Sequence, residues 1–360
     1  MEKRKIGILT SGGDCPALNA AMRGLILACN QLMGADNVEF IGILNGFHGL
    51  INNQVRKLEG ADFDGLLTKG GTFLGSKRTP FKMMQVVEED GVDKVAKMKE
   101  TYNALGLSCF VTLGGNGTHK NANLLSSEGL NVIAMPKTID NDIPGTDVTF
   151  GFHTAVEIGA EALDRIRTTA RSHNRVIVVE VMGNKSGCLS LYAGMGAGAD
   201  VILIPEIPYT YELLFEAISR KTAAEGHAIV VVAEGALDSV EAALPKLERE
   251  KKRLDSGERT VTERLTKLIQ EKTGAESRSV VLGHMLRGGT PSGYDRVLAT
   301  QFGSRAAFLI QSNMYGYTVA KKGNVVMENK LADIVGKPRR VDVSSPVVKA
   351  ARSVGISFGD

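Results

Sequence analysis

The sequence predicts an α/β fold built of two α/β three-layer domains with mainly parallel sheets. Short apolar runs, typical of buried strands, alternate with helical patterns along the chain, which indicates parallel sheets covered by helices on both faces. The 41 glycines cluster at the ends of those runs, where the chain must turn. With 360 residues, the chain is long enough for two domains of about 150 residues each.

The composition excludes several classes of protein. Apolar residues make up 43% and charged residues 23% of the chain, which is typical of globular proteins. A formal net charge of +3 is too small to predict a nucleic-acid partner, and no apolar run reaches the 18 residues that predict a membrane span. The first strand follows the N-terminus without a signal peptide, and the four cysteines lack CxxC spacing. A cytoplasmic protein with reduced thiols and no structural zinc is therefore expected.

The first half of the chain contains a strand–glycine–helix unit twice. A strand over residues 6–9 precedes the turn TSGGD and a helix over residues 19–30. A strand over residues 109–113 precedes GGNGT and a helix over residues 119–127. Such units present bare backbone N–H groups and a helix N-terminus to an anion. The first turn matches neither GxGxxG nor GxxxxGK[ST], and a tight turn between strand and helix is the structural alternative for it.

Two loops in this half carry candidate chemistry. Residues 70–78 (GGTFLGSKR) end in two cations, and an arginine on such a loop can stabilise charge on a transferred phosphoryl group. Residues 135–142 (MPKTIDND) follow an apolar strand, and Pro136 ends it because proline has no N–H for the ladder. Open α/β sheets bind ligands at this end of their strands.

The MPKTIDND loop brings a hydroxyl and two carboxylates together at a spacing of two residues: Thr138, Asp140 and Asp142. Two carboxylates so close should differ in pKa, which suits one base beside one charge-holding or metal-facing partner. A solvated acidic loop is the structural alternative.

The rest of the chain continues the alternation. Predicted strands cover residues 38–44, 176–181, 201–204, 228–232 and 278–284. Predicted helices cover residues 93–105, 154–170, 211–224 and 295–310, and a last helix begins near residue 347. Residues 317–328 form a predicted β-hairpin. Residues 239–273 are charged and mostly helical, and we interpret them as a surface insertion with a solvated face.

These motifs resemble, in the same order and over nearly the whole chain, those of the phosphofructokinase family. The matching segments are residues 10–16 (TSGGDCP), 70–78 (GGTxLGSxR), 136–142 (PxTIDND), 179–183 (VEVMG) and 282–289 (LGHxxRGG). The resemblance implies phosphoryl transfer from ATP, with Mg²⁺, to the 1-hydroxyl of fructose 6-phosphate in glycolysis. It also implies a homotetramer and a site in the cleft between a nucleotide-binding domain (1–151 plus 286–336) and a sugar-phosphate-binding domain (152–285 plus 337–360).

The resemblance assigns roles residue by residue. Asp140 resembles the base that takes the proton of the sugar hydroxyl, and Thr138 resembles the residue that hydrogen-bonds the transferring phosphoryl group. Asp142 would orient the reacting centre and its metal, and Arg78 would neutralise transition-state charge. Donor positions are Gly13, Arg78, Thr79, Gly115, Asn116, Gly117 and Thr118. Sugar-phosphate positions are Thr138, Asp140, Met182, Gly183, Asn184, Glu234, His284 and Arg287, with Arg175 and Arg278 reaching the site of a neighbouring subunit.

Three positions depart from the family pattern. Asn116 stands where the family's GGDGS loop has a metal-binding aspartate, so Asp142 would carry more of the coordination. Asn184, with Lys185 beside it, replaces the arginine that usually follows VEVMG. The residues before His227 lack the paired lysines of the family's regulatory nucleotide site.

Two positions bear on the phosphoryl donor. Gly117 is typical of ATP-dependent members and leaves room for a nucleotide, whereas Lys137 is typical of pyrophosphate-dependent members. Because a lysine can swing aside, Gly117 weighs more and the sequence predicts ATP. The alternatives are a pyrophosphate-dependent phosphofructokinase, a kinase of the NAD or lipid type, and a catalytically weak regulatory subunit that binds nucleotide or sugar phosphate.

Overall fold

The structure, a computed structural model, describes residues 3–87, 91–255, 260–336 and 338–360. The chain divides into two compact units, unit 1 (Met1–Thr154 and Arg287–Pro338) and unit 2 (Ala155–Leu286 and Arg339–Asp360). Residues 256–259 of the predicted helical segment, and the predicted boundary at residue 337, lie outside the described residues. No helix of the described ranges has the length and apolar character needed to cross a membrane.

The strands of the described residues are β1 (Arg4–Ser11), β2 (Val38–Ile43), β3 (Val55–Leu58), β4 (Cys109–Gly114), β5 (Val132–Pro136), β6 (Val176–Val181), β7 (Val201–Leu203), β8 (Ala228–Ala233), β9 (Ser277–Val281), β10 (Tyr317–Lys322) and β11 (Val325–Lys330). The helices are α1 (Leu18–Met33), α2 (Phe47–Ile51), α3 (Phe81–Met84), α4 (Lys94–Ala104), α5 (Asn116–Ser127), α6 (Phe152–His173), α7 (Cys188–Gly196), α8 (Tyr211–Glu225), α9 (Ser239–Ala243), α10 (Lys246–Asp255), α11 (Val261–Thr273), α12 (Gly293–Gln311), α13 (Leu331–Ile334) and α14 (Pro346–Ser353).

Unit 1 is built on a seven-stranded sheet with the order β11-β10-β5-β4-β1-β2-β3. The five inner strands are parallel, and the edge strands β3 and β11 run antiparallel to their neighbours. Every residue of β4 and β5 is buried, as expected for apolar strands at the centre of a covered parallel sheet. Helices α2, α4 and α5 share a hydrophobic core with one side of the sheet, and α1 packs along α12.

Unit 2 is built on a four-stranded parallel sheet with the order β7-β8-β6-β9. The apolar runs of β6 and β8 are buried at its centre, and β9 forms an exposed edge. Thr210 caps the start of helix α8, where its hydroxyl accepts from the Leu213 N–H, and Gly226 caps the end of the helix in the left-handed region. These signals agree with the predicted helix.

The predicted α/β class and its two sheets are confirmed, and two local predictions are wrong. Helix α5 begins at Asn116 and not at His119, so three residues of the GGNGT sequence form its first turn. The predicted surface insertion is part of the core at its end, because α11 buries Val261, Leu265 and Ile269 against β6 and β9. An apolar stripe at four-residue spacing faces the core in this way.

Candidate active site

The sheet register of unit 1 brings the candidate loops to one edge. Ser11, Gly114 and Pro136 end the parallel strands β1, β4 and β5, and Gly114 is the register partner of Ser11 on one side and of Pro136 on the other. The Gly12–Gly13 turn, the N-terminus of α5 and the loop over residues 137–142 follow directly after these three residues. The carboxyl edge of a parallel sheet is where ligands bind in such folds.

Hydrogen bonds among residues 138–149 hold the TIDND loop in one conformation. The Asp140 N–H donates to the Thr138 hydroxyl at 3.0 Å, and the Thr149 hydroxyl donates to the Thr138 carbonyl at 2.7 Å. Asn141 adopts a φ of 52°, and its side-chain oxygen accepts from the Thr149 N–H at 3.0 Å. The left-handed region is tolerated by asparagine, which explains this residue between the two aspartates. Asp140 and Asp142 therefore occupy defined positions on either side of it.

Asp142 is held by the first residue of α5. The Asn116 side-chain amide donates to Asp142 Oδ2 at 2.7 Å and to the Asp142 carbonyl at 3.1 Å. Asp142 is 6% exposed, and burial raises the pKa of its carboxyl, while the hydrogen bond from Asn116 opposes that change. Asn116 thus stabilises the ionised form of a carboxylate that burial disfavours.

The rest of the α5 N-terminus faces the same edge. Gly117 is exposed, and a Cβ added there would meet no atom within 4 Å. The Thr118 hydroxyl donates to the Ser11 carbonyl at 3.4 Å, which ties α5 to the end of β1. The Asn121 amide donates to the Thr79 carbonyl at 3.3 Å, so Thr79 also lies beside this helix. The exposed backbone at Gly117 leaves space in front of a helix N-terminus, which is favourable for an anion.

Two cations lie at the Gly12–Gly13 turn. Lys137 is 4% exposed, and its ammonium donates to the Gly13 carbonyl. Burial lowers the pKa of Lys137 and the nearby Arg287 lowers it further, while Asp140 raises it. The Arg287 guanidinium occupies the place where a side chain on Gly13 would lie, so a larger residue there would have to displace the guanidinium. The structure therefore puts Arg287, which the resemblance assigns to the sugar phosphate, next to a donor-side turn.

Hydrogen bonds join the glycine-rich loop over residues 70–78 to the first turn of α1. Buried Asn19, in the first turn of α1, donates to the carbonyls of Lys69 and Gly70 at 2.9 and 3.1 Å and accepts from the Phe73 N–H at 3.0 Å. Arg78, at the end of this loop, is exposed. The buried amide thus fixes three backbone groups of the loop, and Lys77 and Arg78 at its end are both exposed.

The Mg²⁺ that the resemblance implies finds oxygen donors at this edge. Among the described residues, no three His, Cys, Asp or Glu side chains are grouped closely enough to hold a metal ion by themselves. Mg²⁺ keeps several waters and commonly takes only one or two carboxylates together with substrate phosphates, so Asp142 with the Asn116 amide oxygen fits its requirements.

In unit 2, a glutamate organises the predicted sugar-phosphate turn. Glu234 follows β8, and its Oε1 accepts from the Gly183 N–H at 3.1 Å and from the Asn184 N–H at 2.5 Å. Asn184 adopts a φ of 52° and is exposed, and Met182 is half-buried. His284 is exposed after β9, at the same carboxyl edge of this sheet. The turn and its glutamate therefore form one hydrogen-bonded unit.

Arg175 and Arg278 lie at the opposite end of that sheet. Arg175 precedes β6, whereas Met182 follows it, and the six residues of β6 span about 20 Å. Both guanidiniums contact Glu276, at 2.8 Å from Arg175 and 2.6 Å from Arg278. Within unit 2, these arginines cannot share a small ligand with the Met182 turn.

Sequence reasoning missed three residues that support these sites: Asn19, His119 and Glu276. His119 is buried in α5, with its Nδ1 donating to the Gly115 carbonyl at 3.0 Å and its Nε2 at 2.9 Å from the Thr318 hydroxyl. Burial lowers its pKa to about 4. A polar residue within the apolar stripe of a helix is the sequence signal that could have identified Asn19 and His119, whereas the pairing of Glu276 with Arg175 joins positions distant in sequence.

Comparisons with known proteins agree with these motifs. Residues 5–310 match the family profile described as Phosphofructokinase. An ATP-dependent 6-phosphofructokinase of Spirochaeta thermophila is 50% identical over 361 residues, which cover 99% of this chain and 98% of that protein. A pyrophosphate–fructose 6-phosphate 1-phosphotransferase of Amycolatopsis mediterranei is 41% identical over 349 residues, covering 94% and 96%. The structure of phosphofructokinase from Saccharomyces cerevisiae aligns with a TM-score of 0.78 at 28% identity, over 98% of this chain and 46% of that one.

Proposed function

This chain belongs to the phosphofructokinase family, and on that premise we propose that it transfers the terminal phosphoryl group of ATP to the 1-hydroxyl of fructose 6-phosphate. The product is fructose 1,6-bisphosphate, and the reaction belongs to glycolysis. One observation carries the proposal: the Gly12–Gly13 turn, the N-terminus of α5 and the TIDND loop meet at the carboxyl edge of a single sheet. This arrangement supports the proposal, because backbone of the kind that binds phosphate lies beside the Thr138 hydroxyl and the Asp140 carboxylate.

Asp140 is the proposed general base. A sugar hydroxyl becomes an effective nucleophile only when its proton has an acceptor, and a carboxylate at this edge supplies one. Asp140 is partly exposed, and the Lys137 ammonium attracts its negative charge. Thr138, whose hydroxyl already accepts from the Asp140 N–H, is the proposed contact to the transferring phosphoryl group. Arg78 would neutralise the charge of the transition state.

Asp142 and Asn116 are the proposed metal-side pair. When bound there, Mg²⁺ would neutralise charge on the donor phosphates. Asp142 would contribute a carboxylate oxygen, and Asn116 would contribute its amide oxygen while its amide nitrogen keeps Asp142 in place. Gly13, Thr79, Gly115, Gly117 and Thr118 are the remaining proposed donor positions.

The sugar phosphate is assigned to unit 2. The proposed contacts are Met182, Gly183, Asn184, Glu234 and His284, with Arg287 of unit 1 as a further candidate. Glu234 accepts from two N–H groups of the turn, so it can fix the turn while its second oxygen accepts from a sugar hydroxyl.

We assign Arg175 and Arg278 to the 6-phosphate of a neighbouring subunit, in a homotetramer. Their place at the amino end of β6 and β9 supports this assignment, because the proposed sugar contacts of their own unit follow the carboxyl ends of the strands. A cytoplasmic location accompanies the glycolytic role.

ATP is the proposed donor. The Spirochaeta relative is named for ATP and the Amycolatopsis relative for pyrophosphate, so the family membership alone allows either. The open space at Gly117 supports ATP. The Lys137 side chain is buried, and its ammonium donates to the Gly13 carbonyl. That bond keeps the ammonium at the turn, and the space at Gly117 stays open without any movement of Lys137.

A donor comparison tests the proposal. Purified protein is assayed with ATP or pyrophosphate at saturating fructose 6-phosphate and Mg²⁺, and product formation is followed by a coupled assay. Turnover with ATP at a kcat/KM exceeding that for pyrophosphate is expected. Turnover with pyrophosphate alone would establish the pyrophosphate-dependent alternative, and no turnover with either donor would support a regulatory subunit.

A further inference from the structure

The carboxylate of Glu276 joins two arginines in unit 2. Its Oε1 atom accepts from Arg175 Nη2 at 2.8 Å and from Arg278 Nη2 at 2.6 Å. Both guanidiniums therefore bind one oxygen of one anion. Two guanidiniums that contact the same oxygen form a site for an anion, and the Glu276 carboxylate already occupies this site.

The backbone places these three side chains together. Arg175 and Glu276 immediately precede β6 and β9, whose first residues, Val176 and Ser277, are register partners, and the Val176 N–H donates to the Glu276 carbonyl at 2.9 Å. Arg278 lies two residues beyond Glu276 on an extended strand, so the two side chains leave the same face. The cluster is thus set by the register of two paired strands.

The charges of the cluster do not balance. Two guanidiniums face one carboxylate, and the nearby His173 adds further positive charge when protonated. Arg175 Nε is buried and finds no hydrogen-bond partner in the described part of the chain. The carboxylate and the two guanidiniums remain 29–53% exposed. A phosphate dianion would neutralise both arginines and offer three oxygens to their donors, which a single carboxylate cannot do.

We propose that Glu276 is an internal substitute for the phosphate group: it holds Arg175 and Arg278 together while no sugar phosphate is bound, and it competes with the 6-phosphate for them. This inference rests on the proposed function, which assigns both arginines to the sugar phosphate of a neighbouring subunit. Glu276 is a positioning residue, since it acts through the arginines and leaves the reacting atoms untouched. This competition lowers the affinity for fructose 6-phosphate and should leave the affinity for ATP unchanged.

The Glu276→Gln variant tests the competition. Glutamine keeps the shape of the side chain and removes its charge, so both arginines become available to phosphate. Exposed ion pairs are weak, and we therefore expect a decrease of about three- to tenfold in KM for fructose 6-phosphate. The kcat and the KM for ATP should stay within about twofold of wild type, and added salt should reduce the difference. An unchanged or increased KM for fructose 6-phosphate would overturn the inference.

Two further variants complete the experiment. Glu161→Gln removes the partner of Arg165, an exposed pair at 2.6 Å in the same unit, and should leave the KM for fructose 6-phosphate unchanged. In an Arg278→Gln background, Glu276→Gln should lower that KM by a smaller factor than in wild type, because one of the two contested arginines is gone. An equal factor in both backgrounds would also contradict the inference. If wild-type protein shows no activity that depends on fructose 6-phosphate, the proposed function fails instead.

Discussion

The Asn116 side-chain amide donates to Asp142 Oδ2 at 2.7 Å, and this contact joins the first residue of α5 to the last residue of the TIDND motif. An aspartate at position 116 could not donate this hydrogen bond, and two carboxylates at this distance would repel each other unless a cation lay between them. The asparagine therefore holds Asp142 in place, and its hydrogen bond opposes the rise in pKa that burial causes.

We predict that Asn116→Asp makes the protein depend on Mg²⁺ for stability. In EDTA the variant should unfold at a lower temperature than wild type, because the lost hydrogen bond and the new repulsion cost about 1–3 kcal/mol. Mg²⁺ should raise its unfolding temperature more than that of wild type, since binding to the folded state stabilises it by mass action. Thermal unfolding with EDTA and with Mg²⁺ measures both effects. Asn116→Ala serves as the control, and an equal Mg²⁺ response in all three proteins would contradict the prediction.

We predict that Asp140→Asn removes turnover and preserves binding of fructose 6-phosphate. The expected loss in kcat is about 10² to 10⁴, the usual contribution of a general base. Binding should persist because it rests mainly on Arg175, Arg278, His284 and Arg287, and calorimetry measures it separately from the rate. Asp147→Asn, in an exposed carboxylate beyond the same loop, is the matched control and should keep normal kcat. Near-normal turnover of Asp140→Asn would remove Asp140 from the mechanism.

The sheets and the edge that holds the candidate site were predictable from sequence. Strand β6 spans the predicted residues 176–181, and the predicted hairpin corresponds to β10 and β11, because buried apolar runs and a lysine–glycine–asparagine turn are local signals. The meeting of the Gly12–Gly13 turn with the TIDND loop followed from the rule for carboxyl edges of parallel strands.

What sequence could not predict depends on distant partners. Glycine has a low helix propensity, yet Gly117 belongs to α5, in which the next residue, Thr118, donates from its hydroxyl to the distant Ser11 carbonyl. The pairing of Arg175 with Glu276 links positions that only the register of β6 and β9 brings together. The apolar spacing of α11, by contrast, is a local signal of a core-facing helix, but the many charged residues around it favoured the prediction of a solvated surface insertion.

We predict that activity requires an oligomer, and that the active form is a tetramer. Arg175 lies at the end of β6 away from the proposed sugar contacts, so it needs a second copy to reach a sugar phosphate. Sedimentation across a dilution series, with activity measured on the same samples, tests this. Activity should fall as the oligomer dissociates, because the 6-phosphate then loses both arginines. A fully active monomer would show that Arg175 does not act in a neighbouring site.

We predict that His119 makes the protein less stable in mild acid. Its pKa is about 4 in the folded chain against about 6.5 when unfolded, so protons bind the unfolded chain preferentially as the pH falls below 6.5. Between pH 7.5 and 5.5, wild type should lose about 1.4 kcal/mol of stability relative to His119→Gln. Chemical denaturation at both pH values measures this difference. Parallel curves for wild type and His119→Gln would contradict the prediction.

The donor preference depends on the space in front of α5. Gly117 is the second residue of that helix, it is exposed, and a Cβ added there meets no atom within 4 Å. An aspartate at this position is therefore compatible with the fold, and negative charge near a helix N-terminus is favourable for stability. The same carboxylate would project where an incoming nucleotide approaches, and it would repel the phosphates.

We predict that Gly117→Asp lowers kcat/KM for ATP more than tenfold, which corresponds to about 1.4 kcal/mol or more of transition-state binding. Its unfolding temperature should not fall, which separates the effect on the donor from an effect on the fold. Gly117→Ala adds a methyl group without charge and should lower kcat/KM for ATP far less. Use of pyrophosphate should fall less than use of ATP in the aspartate variant, because pyrophosphate has no nucleoside to place beyond the carboxylate. Unchanged use of ATP by Gly117→Asp would show that this position does not select the donor. If Gly117→Ala were as impaired as Gly117→Asp, the site would exclude the bulk of a side chain and not its charge.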